Sequence, residues 1–303
     1  MEHEMITALP PEFDVNIYLA RNTDLAGMTP EQAADHHHLW GRDEGRICNA
    51  TDTRARFLAL VPRDAPLLEI GPYTTPAFRR PAHDVRYLDA FGTEELRARA
   101  VAGNMDPSGV PVIDHVWHGE PYATLVRTPM AAVFSSHNIE HQPDLIRHLR
   151  ELGDILEPQG RLFFAIPDRR YCFDHFLRET TFADVFGAYH EKRRAHNAAS
   201  VLTSRMLITH NDMIRHWRGD HGLSPFLTPI TPERAAMARE TMAEIEGTRD
   251  YIDAHAWQFT PASFRALIDF LALSGMIPFQ VERVYPTMRY TNEFHAVLVR
   301  RGG

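Results

Sequence analysis

The sequence has little cysteine, no dense block of positive charge and no long apolar run. Its two cysteines, Cys48 and Cys172, are too far apart and too few to indicate a disulfide framework or a zinc motif. The formal net charge of −8 excludes the concentrated basic surface that general nucleic-acid binders need. No apolar stretch is long enough to span a bilayer, and the first residues are not typical of a signal peptide. We therefore expect a cytoplasmic protein.

Regular alternation of short apolar segments with amphipathic helices between residues 66 and 168 predicts a parallel sheet, because parallel neighbours need crossover connections. Two further alternating segments near the C-terminus predict an antiparallel hairpin. The predicted fold is α/β, a Rossmann-like, mostly parallel seven-stranded sheet with flanking helices. Its strands are expected at 66–71, 84–89, 110–117, 131–136, 161–167, 277–285 and 292–300.

One strand, from Pro66, ends at Gly71 and enters a turn-rich loop, and a short helix is predicted from about Pro76. Ligands of open α/β sheets bind beyond the carboxyl ends of such strands, and glycine lets a ligand approach the backbone. The Glu69-x-Gly71 arrangement resembles motif I of the class I S-adenosylmethionine-dependent methyltransferases. The second and third glycines of that motif are replaced by Tyr73 and Thr75.

A second block carries the resemblance further. Ser136-His-Asn-Ile-Glu-His-Gln-Pro-Asp144, an amphipathic helix, and then Leu156-Glu-Pro-Gln-Gly-Arg-Leu-Phe-Phe-Ala-Ile-Pro-Asp168 closely resemble the motifs that surround strands four and five of this family. The tail from about 256 to 300 returns to the family pattern of a last helix and a hairpin. The resemblance therefore spans 66–168 and about 256–300.

An acidic residue ends the second predicted strand. Asp89 follows Gly71 by eighteen residues, close to the spacing of about 20 at which dinucleotide folds place a ribose-binding carboxylate. A turn residue at a strand end is the alternative interpretation.

The family resemblance implies S-adenosyl-L-methionine as cofactor. It places the Glu69–Gly71 loop at the methionine portion, Asp89 at the ribose and Asp114 at the adenine, with Asp106 as a competitor for the last role. Tyr73 is a candidate for a cation–π contact with the sulfonium. Backbone N–H groups at the start of the helix predicted near Pro76 are candidates for holding the cofactor carboxylate. The full set of expected cofactor-binding residues is Glu69, Gly71, Pro72, Tyr73, Asp89, Asp114, Ser136, His137 and Asn138.

Residues 169–255 interrupt the family pattern, and we interpret them as an inserted helical lid or substrate region. Within 209–221, Asp212 and His216 would share one face of a helix. We predict that His210 or His216 accepts a proton from an acceptor hydroxyl, with His141 a further candidate catalytic residue. Structural hydrogen bonding is the alternative role. No metal site is expected, because the spacing of a metal motif is absent from 209–221.

The N-terminal residues 1–50 are predicted to form a helical module, and 51–303 the methyltransferase domain. Residues 13–24 and 40–46 resemble a module appended to bacterial glycosyltransferases and methyltransferases of surface-polysaccharide assembly. Three consecutive histidines, 36–38, lie in the module, and we interpret them as a solvated or half-buried helix face. The module implies a sugar or glycan hydroxyl as the acceptor and an association with glycosyltransferases.

The predicted function is S-adenosylmethionine-dependent methyl transfer to such a hydroxyl. The alternative is a non-catalytic cofactor-binding or scaffolding protein of a glycan-assembly complex, which the glycine-poor loop after Gly71 motivates. A hydrolase is a further alternative, but the sequence has no Gly-x-Ser-x-Gly elbow.

Overall fold

The computed structural model describes residues 12–248 and 250–302, and its centre is one seven-stranded sheet. In chain order the strands are β1 (Leu67–Ile70), β2 (Val85–Asp89), β3 (His115–Val116), β4 (Met130–Ser136), β5 (Leu156–Pro167), β6 (Phe279–Tyr285) and β7 (Glu293–Arg300). Their spatial order is β3-β2-β1-β4-β5-β7-β6. The first five strands are parallel, and β7 lies antiparallel between β5 and β6. The predicted fold class and terminal hairpin are confirmed.

Helices cover both faces of the sheet. They are α1 (Val15–Arg21), α2 (Pro30–His36), α3 (Arg54–Leu58), α4 (Thr93–Ala102), α5 (Tyr122–Leu125), α6 (Leu145–Ile155), α7 (Phe182–His190), α8 (Ala198–Met206), α9 (Met213–Trp217), α10 (Pro232–Gly247) and α11 (Pro261–Leu273). Every residue of β1 is buried, which fits a strand with packing on both faces. The larger core lies between the sheet and α6 with α11, and a smaller one surrounds Phe57 of α3.

Helix α6 fixes the turn that follows β4. Its N-cap Asp144 accepts a hydrogen bond from the backbone N–H of Arg147, which satisfies one of the free donors of the first turn. Leu145, Leu149 and Leu152 are fully buried on its sheet-facing side. Burial of each such side chain contributes about 1.5–3 kcal/mol. The segment between β4 and α6 is therefore held at both ends by the core.

The helix predicted from about Pro76 is wrong: residues 71–84 form turns and bends. Prolines at 72, 76 and 81 deny this connection three backbone donors. The N–H groups of Ala77 and Phe78 instead donate to the carboxylate of Glu69. A helix N-terminus that could hold the cofactor carboxylate is therefore absent from this connection.

The expected third strand near this edge of the sheet needs correction. Gly92 is the N-cap of α4, and the hydroxyl of Thr93 accepts a hydrogen bond from the N–H of Ile113. The third strand is only two residues long, because it pairs with β2 over that length alone.

The N-terminal region forms the two helices that the sequence predicts, α1 and α2. Asp14 caps the first helix, and Thr29 with Gln32 makes a capping box on the second. A small apolar core joins them, made of Tyr18, Leu25, Ala33 and Cys48. Of the three consecutive histidines, the middle one is only 3% exposed and stacks on Phe13. The boundary at residue 50 stays a prediction, as does any structure for residues 1–11.

The 169–255 region is helical, with α7 to α10. Asp212 is the N-cap of α9 and accepts the N–H of Arg215, so the predicted shared helix face with His216 is wrong. Thr231 caps α10. Within the described ranges, none of the helices has the length and apolarity that a bilayer crossing requires.

Candidate active site

A groove lies beyond the carboxyl ends of β1 and β2, where ligands of open α/β sheets bind. It is lined by Tyr73, Asp89, Phe91, Leu96, Arg99 and Ala102. Asp89 is 8% exposed, and its Oδ1 accepts the N–H of Phe91 at 3.1 Å. Burial raises the pKa of Asp89 to about 6. The groove thus presents a fixed carboxylate between aromatic side chains.

The loop after β1 approaches the loop after β4. Gly71 has φ of +68°, a left-handed conformation that glycine adopts without strain. A Cβ atom at Gly71 would lie 3.4 Å from Nδ2 of Asn138. Tyr73 also has a positive φ, +42°, which is uncommon for a residue with a side chain. Its ring packs toward the groove that contains Asp89. Pro72, between them, is buried.

Glu69 shapes this loop from below. It is 3% exposed, and its two oxygens accept the N–H groups of Ala77 at 2.7 Å and Phe78 at 3.1 Å. Burial raises the pKa of Glu69 to about 7, while these two hydrogen bonds oppose the rise. Both oxygens therefore accept hydrogen bonds from the backbone, so Glu69 stabilises the loop that follows β1.

Asp114 and Asp106 are engaged elsewhere. Oδ2 of Asp114 accepts the N–H of Tyr87 and pairs with the guanidinium of Arg80, both at 2.8 Å. Asp106 caps the short helical turn Pro107–Gly109. Neither residue lines the groove of Asp89 in the described part of the chain. The sequence left these two aspartates as competitors for the adenine, and their role stays a prediction.

The residues that follow β4 are tied to the start of β7. The guanidinium of Arg54 donates to Glu293 and to the hydroxyl of Ser136. Nε2 of His137 lies 3.0 Å from Oε2 of Glu293. Burial lowers the pKa of His137, but the hydrogen bond with Glu293 and the nearby Glu140 outweigh it and hold the pKa above its ordinary value. Asn138 accepts the side-chain amide of Gln142.

Glu140 is the most enclosed ionisable group of this turn. It is 0% exposed, and neither carboxylate oxygen has a hydrogen-bond partner in the described chain. Three histidine nitrogens surround its Oε1: Nε2 of His141 at 3.7 Å, Nδ1 of His137 at 3.9 Å and Nε2 of His255 at 3.9 Å. These distances exceed a hydrogen bond. A buried carboxyl group therefore faces three imidazoles without a hydrogen bond to any of them.

The far nitrogens of two of these histidines are held by aspartates. Nδ1 of His141 lies 2.8 Å from Oδ1 of Asp253, and Nδ1 of His255 lies 2.7 Å from Oδ2 of Asp174. His255 comes to this position because the N–H groups of Ala256 and Trp257 donate to the carbonyl of Glu140. The 169–255 region thus closes over the turn after β4.

His210 and His216 are fully used by the protein. Nε2 of His216 pairs with the carbonyl of His210, and its Nδ1 with Nδ1 of His221, each at 3.0 Å. Nε2 of His210 pairs with the carbonyl of Asp220, and its Nδ1 accepts the N–H of Asp212. Burial lowers the pKa of His216 to about 4. This arrangement favours the structural alternative, and a catalytic role for either residue stays a prediction.

The fold also brings His175 to this group. Its ring stacks on that of His221 at 3.6 Å, and ligand atoms of His175, His216 and His221 lie within 4.8 Å of one another. The expectation of no metal site rests on the spacing within 209–221, and His175 lies outside that range. His255, Asp174 and Glu293 were likewise missed, because no sequence spacing links them to Glu140.

A protein-family model described as "Methyltransferase domain" matches residues 40–229, more than half of the chain. No curated protein sequence matches this chain. Among solved structures, similar folds occur in a proposed Zn-dependent alcohol dehydrogenase from Rhodobacter sphaeroides (13% identity, TM-score 0.43, covering 88% of this chain and 94% of that chain). An S-adenosylmethionine-dependent methyltransferase from Mesorhizobium loti is similar at 16% identity and TM-score 0.39 (81% and 96% covered). The CcbJ methyltransferase from Streptomyces caelestis is similar at 14% identity and TM-score 0.40 (88% and 96% covered).

Those structural similarities are too low to carry a functional argument. The family match covers the strands β1 to β5, both sides of the groove and most of the 169–255 region. The chain belongs to the methyltransferase domain family.

Proposed function

We propose that this protein transfers a methyl group from S-adenosyl-L-methionine to a hydroxyl of a sugar or glycan. The observation that carries the proposal is the groove beyond β1 and β2, where a buried aspartate lies beside aromatic side chains. An ionised carboxylate can accept two hydrogen bonds from a vicinal diol, as a ribose offers. The proposal places Asp89 on that diol, with Tyr73 and Phe91 beside the nucleoside.

The loops that follow β1 and β4 fit the other half of such a cofactor. Gly71 has no side chain, which lets its backbone come close to the side-chain amide of Asn138. Asn138 supplies an amide that can hydrogen-bond a polar group. S-adenosylmethionine supplies an electrophilic methyl group on a sulfonium, so the chemistry needs no protein nucleophile. The protein's task is to orient the acceptor and to exclude water.

Transfer to a hydroxyl also needs a group that takes its proton. Of the three histidines predicted for this role, His141 alone keeps a ring nitrogen, Nε2, outside hydrogen-bond distance of the protein, 3.7 Å from Glu140. Burial lowers the pKa of His141, but Asp253 and Glu140 outweigh it and raise the pKa. The proposal therefore favours His141 over His210 and His216.

The acceptor class rests on the N-terminal module and its resemblance to modules of polysaccharide-assembly enzymes. The module touches the 169–255 region, where Arg170 pairs with Asp43 at 3.2 Å. A Cβ atom at Gly45 would also meet the ring of Trp217 at 2.5 Å. These contacts support a shared acceptor surface. In this proposal the protein works in bacterial surface-polysaccharide assembly together with glycosyltransferases, in the cytoplasm.

Calorimetric titration with S-adenosylmethionine tests the proposal. We expect wild type to bind at micromolar concentration and Asp89→Ala to bind about 10- to 100-fold more weakly, the effect of losing hydrogen bonds to a charged group. Asp154→Ala is the matched control, since that exposed aspartate of α6 lies outside the groove. Absence of binding by folded wild type would overturn the enzyme proposal and favour a scaffolding protein.

A further inference from the structure

The turn after β4 holds a buried carboxyl group that receives no hydrogen bond in the described structure. Glu140 is 0% exposed, and both of its oxygens lack a partner within the described residues. An ionised carboxylate without partners is costly to bury, and buried charges are normally paired or coordinate metals. The N–H groups of Ala256 and Trp257 donate to the backbone carbonyl of Glu140 and not to its side chain. The side chain itself faces only the imidazole nitrogens of His137, His141 and His255, each beyond hydrogen-bond distance.

The nitrogens around Glu140 have the arrangement of metal ligands. Nε2 of His141 and Nε2 of His255 lie 3.7 Å and 3.9 Å from Oε1. Donor atoms of Glu140, His141 and His255 all lie within 4.8 Å of one another. Atoms bound to one ion at 2.0–2.2 Å are about 3.4 Å apart in a tetrahedral site. The two distances to Oε1 of Glu140 are within about 0.5 Å of that separation.

The far side of each imidazole is also fixed. Nδ1 of His141 donates to Asp253, and Nδ1 of His255 donates to Asp174. When Nδ1 carries the proton in the neutral ring, Nε2 presents its lone pair, and carboxylates behind ligating histidines are the usual second layer of a metal site. The two rings are nearly perpendicular, at 87°, so their in-plane lone pairs can converge on one point.

The other histidine group is a weaker candidate. The rings of His175 and His221 are stacked and almost parallel, at 10°. Lone pairs in parallel planes run side by side and do not converge on one ion. In addition, Nδ1 of His216 is already paired with His221. All side chains of this second group are imidazoles, so no buried anion there calls for a cation.

We propose that Glu140, His141 and His255 bind a divalent transition-metal ion. Two imidazoles and one carboxylate suit zinc or iron(II), whereas magnesium and calcium prefer sites made of oxygen. His141 is 24% exposed in its side chain, so the open side of the ion faces the solvent-accessible part of the turn. Resting on the proposed function, the ion takes over from His141 the activation of the acceptor hydroxyl: it lowers the pKa of that hydroxyl, whose proton then passes to solvent.

The experiment is metal titration of the chelator-treated full chain. Zinc binding is followed by calorimetry, and cobalt(II) is followed by its visible absorption, in wild type, Glu140→Gln and His255→Ala. We expect one high-affinity equivalent in wild type that both variants lose. Asp174→Asn, which removes only the carboxylate behind His255, should weaken it about 10- to 100-fold. His221→Ala from the second histidine group is the matched control and should retain it.

Thermal unfolding gives a second readout that does not depend on activity. Zinc should raise the Tm of wild type and leave that of Glu140→Gln unchanged, because binding to the native state alone stabilises it. Without metal, Glu140→Gln should have a Tm at or above that of wild type, since it removes an unpaired buried charge, which also shows that the variant folds. Wild type without high-affinity metal, or equal binding by Glu140→Gln, would overturn the proposal.

The metal site and the methyltransferase proposal can fail separately. S-adenosylmethionine binding is measured in the presence of chelator, where the groove of Asp89 is intact and the ion is removed. Cofactor binding without metal binding rejects the metal site alone. Metal binding without cofactor binding rejects the proposed function and leaves the site.

Discussion

Asp89 and Glu140 are both buried carboxylates near the carboxyl end of a strand, the first as the last residue of β2 and the second in the turn after β4, yet their surroundings differ. Asp89 receives a backbone N–H from the residue two positions on and opens into a groove. Glu140 receives no hydrogen bond in the described structure and faces imidazoles from 137, 141 and 255. A local turn satisfies the first carboxylate, whereas the second depends on a distant part of the chain.

This comparison explains which parts of the site could be predicted. The position of Asp89 follows from an apolar strand and a spacing of eighteen residues, both visible in the sequence. The surroundings of Glu140 come from residues 174, 253 and 255, which no local pattern connects to it. The sequence therefore predicts the groove carboxylate but assigns Glu140 no role.

Loss of core packing under helix α6, which follows the turn of Glu140, has the largest expected effect. Leu149 is 0% exposed and packs between this helix and the sheet. Leu149→Ala should lower the free energy of unfolding by about 2–5 kcal/mol, measured by urea denaturation. Leu273→Ala, at an 84% exposed leucine of α11, should change it by less than about 0.5 kcal/mol. Equal effects of the two variants would contradict the packing described above.

A pair of isosteric variants should separate the two sites. Asp89→Asn is expected to weaken S-adenosylmethionine binding about 10- to 100-fold, since a charged hydrogen-bond acceptor is lost. Glu140→Gln should leave that affinity within about twofold in chelator. Calorimetry of both variants with the cofactor, and then with zinc, checks the pattern. Loss of cofactor binding in both would mean that the two carboxylates act as one site.

The pH dependence of Asp89 gives a finer distinction. Burial raises its pKa from 3.8 to about 6, so the folded protein binds a proton there that the unfolded chain has lost. Its contribution to the stability of the ligand-free protein is therefore present below pH 4 and lost as the pH rises toward 6. Cofactor affinity should rise over the same interval, because the ionised carboxylate is the form that accepts from a diol.

Calorimetry and urea denaturation between pH 4.5 and 8 measure these two opposing trends. Asp89→Asn should flatten the change in cofactor affinity and reduce the change in stability. Glu69, whose pKa is also raised by burial, contributes a separate loss of stability up to about pH 7 in both proteins. A cofactor affinity that is independent of pH in wild type would exclude Asp89 as the ribose ligand.

The smallest effect is expected at the contact between the N-terminal module and the 169–255 region. Asp43 is 69% exposed in its side chain where it pairs with Arg170. Asp43→Ala should change the free energy of unfolding by about 0–1 kcal/mol, as exposed ion pairs do. Cofactor and zinc affinities should be unchanged. A larger loss, seen by denaturation, would show that the module stabilises the region around Glu140.

Elsewhere, the sequence predicted the strands better than the connections between them. The β4 to β5 region is confirmed because an amphipathic helix and buried strands have distinct periods. The helix predicted near Pro76 does not form, because the prolines of this connection have no backbone N–H and the carboxylate of Glu69 accepts the N–H groups of Ala77 and Phe78. His216 appeared as a candidate base because its two partners, His210 and His221, are visible only after folding.

The two ends of the 169–255 region lie side by side. The N–H of Arg169 donates to the carbonyl of Phe259, and that of Thr180 to the carbonyl of Gln258. Closing a longer loop between fixed ends costs little additional free energy, so an insertion at this point of the fold can vary in length at low cost to stability. Its interior can change in length and sequence while the sheet and the groove of Asp89 keep their geometry. Under the proposed function, acceptor preference can therefore diverge here while the groove proposed for the methyl donor is kept.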